Sequence, residues 1–291
     1  MLQRPKRILL VAPRYFKYDS VIKGYLEAKG FVVDLINDRP YDSNIFKAII
    51  RVNRSIINLF LFTFYKREVL KKYTRKYELI FVIQGEGLVP KFLLWLRAKY
   101  HATPMVYYLW DSIKNKPKLQ ENFSYFDRVV TFDYKDAKAF DLDFVPLFFS
   151  PEIQDTKNTK NTKNTKNLYD LSFIGTVHDD RALIINTIKN NLSHLKLFVY
   201  FYSPSQWIFY IRRFFNKDYL KLDLNDLHFE QLTYDEVQKI RHDSNIILDI
   251  HHRNQSGLTI RTIETIALGK KIATTNSDIK HYDFYDPHNI F

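Results

Sequence analysis

The chain of 291 residues carries 44 lysines and arginines against 32 acidic residues, a net charge of +12, and no cysteine. Its length suits two domains of ordinary size or one large α/β domain, and 46% apolar with 16% aromatic residues mark it as globular, not disordered. The missing cysteines exclude disulfides, thiolate zinc sites and cysteine nucleophiles, and fit a reducing compartment.

The N-terminus, MLQRPKRILLVAP, places bases before an apolar run too short to span a membrane and lacking a signal-cleavage pattern, so it reads as the first strand of a cytoplasmic protein. Apolar patterning predicts strands at 7–12, 31–35, 79–83, 105–109, 128–131 and 144–147, with helices at 19–28 and 91–100. Residues 156–167 are four tandem Thr-Lys-Asn copies with nothing to bury, which predicts a linker over 153–168 between an N-terminal domain (1–152) and a C-terminal domain (169–291). The second half predicts strands at 171–174, 197–201, 228–231, 246–250 and 271–275, with helices at 181–192, 234–242 and 258–268. Strands alternating with helices in both halves predict two Rossmann-like domains facing each other across a cleft.

Four of the seven glycines, Gly85, Gly87, Gly175 and Gly257, follow predicted strands, where open α/β sheets bind ligands. Neither GxGxxG nor a P-loop string is present. In the first half the strand exits offer Arg14 and Tyr15, Gln84 to Glu86, Trp110 to Ser112, and Asp133. Glu86 or Asp111 is the expected catalytic group, a general base with its pKa raised in a closed cleft where the chemistry needs a strong base and otherwise only an orienting carboxylate; a carboxylate at such a place also serves as a helix cap. Asp141-Leu-Asp143 matches a metal-binding string that occurs often by chance, and no metal or cofactor is expected.

In the second half, FIGTVHDDR places Gly175 and Thr176 at a strand exit, with Arg181 able to neutralise phosphate. Asp179 and Asp180 equally suit a plain helix start. NIILDIH leads to His251 and His252, adjacent residues that point to opposite sides and make a poor metal pair, so a base- or phosphate-facing role is expected of His251. The segment 255–284, QSGLTIRTIETIALGKKIATTNSDIKHYDF, sets Gly257 ahead of an amphipathic helix closed by Gly269. A glycine-led helix N-terminus exposes N–H groups that hold a diphosphate, here Gly257, Leu258 and Thr259, with Arg261 adding a bidentate contact and Glu264 accepting ribose hydroxyls.

At these residues the chain resembles the C-terminal domain of two-domain, metal-independent glycosyltransferases of the GT-B fold, above all the branch that makes bacterial capsule and lipopolysaccharide and is related to CgeB-like proteins. Glu264 matches the second glutamate of that family's Glu-x7-Glu pattern and LGKKIATTN its GKPVV region, while Ser256 stands where the first glutamate falls. FVIQGEG and YYLWDS are similar to the corresponding blocks of the N-terminal domain. The resemblance implies sugar transfer from a nucleotide sugar to a glycan or lipid-linked glycan acceptor, with Gly175 and Thr176 touching the donor phosphates. Family members commonly continue with another strand and a C-terminal helix, so this C-terminal domain is expected to lack its last helix; a non-catalytic, scaffold-like subunit is the alternative.

Two basic aromatic segments, 51–76 and 207–217, suit helices lying on an anionic membrane surface or core helices with basic solvent faces. They predict a peripheral protein on the cytoplasmic face of the inner membrane. Nothing resembles a nucleic-acid-binding module, and no nucleic-acid partner is expected.

Overall fold

The computed structural model describes residues 6–15, 17–41, 57–72, 76–149, 168–178, 180–252 and 255–291, apart from the side chains of 217 and 218. The Thr-Lys-Asn run, Arg51, Arg54, Arg75 and Asp179 lie outside them. The chain divides into two compact units, Met1–Pro146 and Leu147–Phe291.

Unit 1 is built from β1 (Arg7–Ala12), α1 (Tyr18–Ala28), β2 (Val32–Asn37), α2 (Asn58–Leu70), β3 (Leu79–Ile83), α3 (Pro90–Lys99), β4 (Met105–Leu109), β5 (Arg128–Thr131), α4 (Tyr134–Phe140) and β6 (Asp143–Phe144). Its six strands form one parallel sheet in the order β2-β1-β3-β4-β5-β6. Strands buried on both faces need continuous apolar runs, which RILLVA, LIFVI and MVYYL supply. β6 is shorter than the predicted 144–147: Val145 still donates to Thr131, but Pro146 has no N–H, and the Tyr108 hydroxyl lies 3.2 and 3.0 Å from the Val145 and Pro146 carbonyls. α4 was not predicted. It is only seven residues long and rests on Asp133, whose buried carboxylate accepts the Lys135 and Asp136 N–H groups.

At the exit of β3 the backbone is left-handed at two successive residues, Gln84 (φ 62°) and Gly85 (φ 59°). Two residues on, a Cβ on Gly87 would stand 2.5 Å from both the Asp38 carbonyl oxygen and the Tyr65 hydroxyl, so only glycine fits there.

Unit 2 contains β7 (Tyr169–Thr176), α5 (Arg181–Asn191), β8 (Leu197–Tyr202), α6 (Gln206–Phe215), α7 (Lys217–Leu220), β9 (Leu227–His228), α8 (Tyr234–His242), β10 (Ser244–Asp249), α9 (Ile260–Ala267) and β11 (Lys271–Thr274). These strands form a second parallel sheet, ordered β11-β10-β7-β8-β9. Its core gathers Leu171, Phe173, Ile185, Phe201, Phe209 and Leu248. Residues 289–291 add to the free side of β11: Ile272 donates to Asn289 and Thr274 to Phe291, each at 2.9 Å.

Candidate functional site: two strand exits and a helix start in unit 2

The strand order of unit 2 reverses between β7 and β10, the place where open parallel sheets hold ligands beyond their carboxyl ends. Gly175 closes β7 beside this reversal, and it has no room for a side chain: a Cβ would lie 2.8 Å from the Phe173 ring and 3.1 Å from Arg181 Nη1. Arg181 is buried and straps the two exits together, donating from Nε to the Ile250 carbonyl (2.9 Å) and from Nη1 to the Thr176 carbonyl (3.1 Å). The guanidinium expected to meet phosphate is thus engaged by backbone oxygens. Its charge remains at the exit. The Phe173 ring lies 5.8 Å from the Arg181 guanidinium carbon and 5.9 Å from that of Arg261, which brings both cations to one ring.

α9 starts later than predicted. Gly257 and Leu258 precede it, Leu258 with its side chain buried, and Thr259 is the N-cap because its hydroxyl accepts the Thr262 N–H at 3.2 Å. The segment before the cap is fixed by Asn276 Nδ2, which donates to the Ser256 carbonyl at 3.0 Å. Asp249, 1% exposed at the end of β10, organises this corner. Its Oδ1 accepts from Arg261 Nη1 (3.1 Å) and Thr259 Oγ1 (3.4 Å), and its Oδ2 from the Thr262 and Thr274 hydroxyls. Glu264, 3% exposed, is bonded by the buried Arg241 of α8. A ribose hydroxyl reaching Glu264 would share that carboxylate with Arg241.

His251 is tied to the exit of β11: its backbone N–H donates to Thr275 Oγ1 at 3.1 Å, and its Nδ1 lies 2.7 Å from the same oxygen. Burial pushes its imidazole pKa down despite the opposing pull of Asp249 and Asp278. The folded chain therefore binds this proton less readily than the unfolded one, whose histidine titrates near pH ~6.5. Stability from neutral His251 is complete above that value and is lost as pH falls through the lower, folded pKa. His251→Gln is accordingly expected to lose less stability than the native chain between pH ~7 and ~5, read from urea midpoints across that range; parallel curves would refute it. His252 stacks near His178, ring centroids 4.8 Å apart, joining the two exit loops again.

Unit 1 presents a separate constellation. Tyr15 lies against Trp110 (6.3 Å between ring centroids), Gln84 Oε1 accepts the Trp110 N–H at 3.3 Å, and the Tyr107 hydroxyl donates to the Gln84 carbonyl at 2.7 Å. Glu86 is buried between two cations, accepting from Arg39 Nη1 at 3.1 Å and Lys116 Nζ at 2.9 Å. That is an ion-pair setting, which holds the carboxylate in its charged form. Asp111 accepts from Asn115 Nδ2 at 3.2 Å. The carboxyl pushed above its usual range is Asp136, through burial and then the neighbouring charges of Asp133 and Asp111, although the Ile113 N–H at 2.7 Å opposes the rise. Asp143 of the Asp-x-Asp string pairs with Arg128 at 2.5 Å, and Asp141 is the left-handed C-cap of α4.

No family model matches the chain, and no curated protein matches it by sequence. Solved structures do match over nearly all of it. OtsA in its apo form shares 12% identity with a TM-score of 0.62, spanning 95% of this chain and 86% of that one. An alpha-glucosyltransferase solved with UDP and a 13-mer DNA shares 12% identity at TM-score 0.58, covering 98% and 81%. The catalytic domain of Starch Synthase IV from Arabidopsis thaliana, bound to ADP and acarbose, shares 8% at TM-score 0.57, covering 97% and 86%.

The fold is GT-B-like.

Within this GT-B-like chain the structure gathers Gly175, Thr176, His251, Thr259 and Arg261 around the β7–β10 reversal, and sets Glu264 one turn into α9. Two residues that matter there were not predicted. Asp249 carried a signal, as the acid that directly follows the apolar run Ile246–Leu248; Arg241 sits in the polar helix YDEVQKIRH and carried none. Of the two basic aromatic segments, the described part of the first packs one face on the core, where α2 buries Leu61, Tyr65 and Val69, and leaves Leu59, Phe60 and Leu70 exposed. The second forms α6 and buries only Phe209. Among the described residues no helix is long and apolar enough to cross a membrane.

Proposed function

We propose that the chain is a metal-independent glycosyltransferase that binds a nucleoside diphosphate sugar in unit 2 and transfers the sugar to a capsule or lipopolysaccharide acceptor, lipid-linked, at the cytoplasmic face of the membrane. The observation that carries the donor half is Arg261, pre-aimed by buried Asp249 beside the side-chain-free strand exit at Gly175. A guanidinium held there, with the first N–H groups of α9, supplies the positive charge that a metal supplies in other architectures. Thr176 and His251 complete the phosphate side, with the backbone at Gly257, Leu258 and Thr259; Glu264 is assigned to the ribose. The UDP and ADP bound in two of the similar structures support a nucleotide ligand for a GT-B-like chain. Glu86 and Asp111 are assigned to the acceptor side, Glu86 as an orienting anion.

Thermal stabilisation by nucleoside diphosphates and nucleotide sugars, with EDTA present, tests this. A ligand at 100 times its Kd adds about 2.7 kcal/mol of stability. One base is expected to give such a shift without metal, and Arg261→Ala to abolish most of it. No shift with any nucleotide, or an undiminished shift in Arg261→Ala, would overturn the donor assignment.

A further inference from the structure

Helix α6 turns its apolar face the wrong way. A surface helix ordinarily buries its apolar stripe and leaves its polar side to solvent. In α6, Phe209 alone is buried, at 1% exposure, packing on Tyr219 and Phe229. At ~100° per residue, Trp207, Ile208, Tyr210, Ile211, Phe214 and Phe215 share an arc of about 160° on the opposite side. All six are exposed, Phe214 to 83%, Phe215 to 80% and Trp207 to 69%. The same spacing puts Arg212 and Arg213 at the two borders of that arc. No acid occurs in the helix, and Leu220 and Leu224 in the segment that follows are exposed as well.

We infer that α6 docks the protein on an anionic membrane surface, with its aromatic arc in the interfacial layer and the exposed Arg212 at its border against lipid phosphates. This rests on the membrane part of the proposed function and not on the donor site. Three observations select this occupant. Tryptophan, tyrosine and phenylalanine are the residues that favour the boundary between headgroups and acyl chains. The exposed cation at the arc's border, in a chain of net charge +12, complements anionic headgroups. A second copy of the chain, by contrast, would bring the same arginine of each copy face to face in a two-fold contact.

The test is co-sedimentation of the full chain with vesicles of phosphatidylcholine alone or mixed with phosphatidylglycerol, comparing native protein with Trp207→Ser/Phe214→Ser/Phe215→Ser. These side chains are exposed, so the variant is expected to keep the native melting temperature and the nucleotide-induced shift; both are measured on the same samples and report on the donor site separately. The native chain is expected to bind the anionic vesicles in a salt-sensitive manner, with a blue-shifted emission that Trp207→Ser lacks, and the triple variant to bind about tenfold more weakly or worse. Failure of the native chain to bind anionic vesicles, or equal binding by the triple variant, would overturn the inference. So would a native dimer in light scattering that the triple variant converts to a monomer, which would assign the patch to self-association.

Discussion

Glu264→Ala is expected to destabilise the protein by about 3–5 kcal/mol, because it leaves the Arg241 guanidinium buried without its counter-charge. Both side chains are almost wholly enclosed, so water cannot replace the lost partner. The converse change, Glu264→Met with Arg241→Met, removes both charges at once, and such replacements are commonly neutral or stabilising by about 1–4 kcal/mol. Urea denaturation of the two single variants and the double variant measures this directly. A Glu264→Ala chain within about 1 kcal/mol of native would show that buried Arg241 does not depend on this carboxylate. The double variant also isolates the ribose role. If Glu264 holds the ribose of the nucleotide, the folded double variant loses the nucleotide-induced stabilisation; if Glu264 only neutralises Arg241, it keeps it. Loss of activity in Glu264→Ala alone cannot separate the two, since a 3–5 kcal/mol deficit approaches the whole stability of many domains, ~5–15 kcal/mol.

Asp249→Ala is the second large effect. The carboxylate accepts from three threonine hydroxyls and one guanidinium across β10, β11 and the start of α9. With about 1 kcal/mol net for a hydroxyl bond and about 1.5–3 for the charged one, a loss of about 2.5–4 kcal/mol is expected once the two weak 3.4 Å contacts are left out. Arg261 is partly exposed, so solvent recovers some of its share. Asp249→Asn separates packing from charge: it can still accept hydrogen bonds but no longer neutralises or aims Arg261. Its stability loss is expected to be smaller than that of Asp249→Ala, yet its nucleotide-induced shift should fall as far as in Arg261→Ala. An Asn variant with native nucleotide response would show that Arg261 does not depend on this carboxylate.

The architecture was largely legible in the sequence because parallel strands must be apolar throughout and short. RILLVA, LIFVI, MVYYL and RVVT sit where patterning put them, and so do the helices over 181–191 and 234–242. What escaped was fixed by contacts distant in sequence. α4 depends on a cap at Asp133 that looked equally like a strand-exit carboxylate. The start of α9 is decided by the Thr259 hydroxyl in place of the glycine two residues earlier. Arg181, Arg261 and Glu264 were all recognised as charges near the expected site, but their partners, the Ile250 and Thr176 carbonyls, Asp249 and Arg241, become neighbours only after the sheet is assembled. Charge and spacing predict that a residue belongs to a site; they do not say which of its bonds are already made. The outward aromatic arc of α6 was visible as composition, and only the burial of Phe209 alone shows which side faces solvent.

The left-handed backbone at Gln84 has a consequence for unit 1. A non-glycine residue in that region costs of order 1–3 kcal/mol and persists only where its surroundings hold it. Here the restraints come from β4 and its exit, through the Tyr107 hydroxyl on the Gln84 carbonyl and the Trp110 N–H on its side-chain oxygen. Gly87, wedged against Asp38 and Tyr65, anchors the other end of the turn. The segment carrying Glu86 is therefore a rigid abutment, set by the sheet before any ligand arrives, and a molecule meeting it must adjust its own shape.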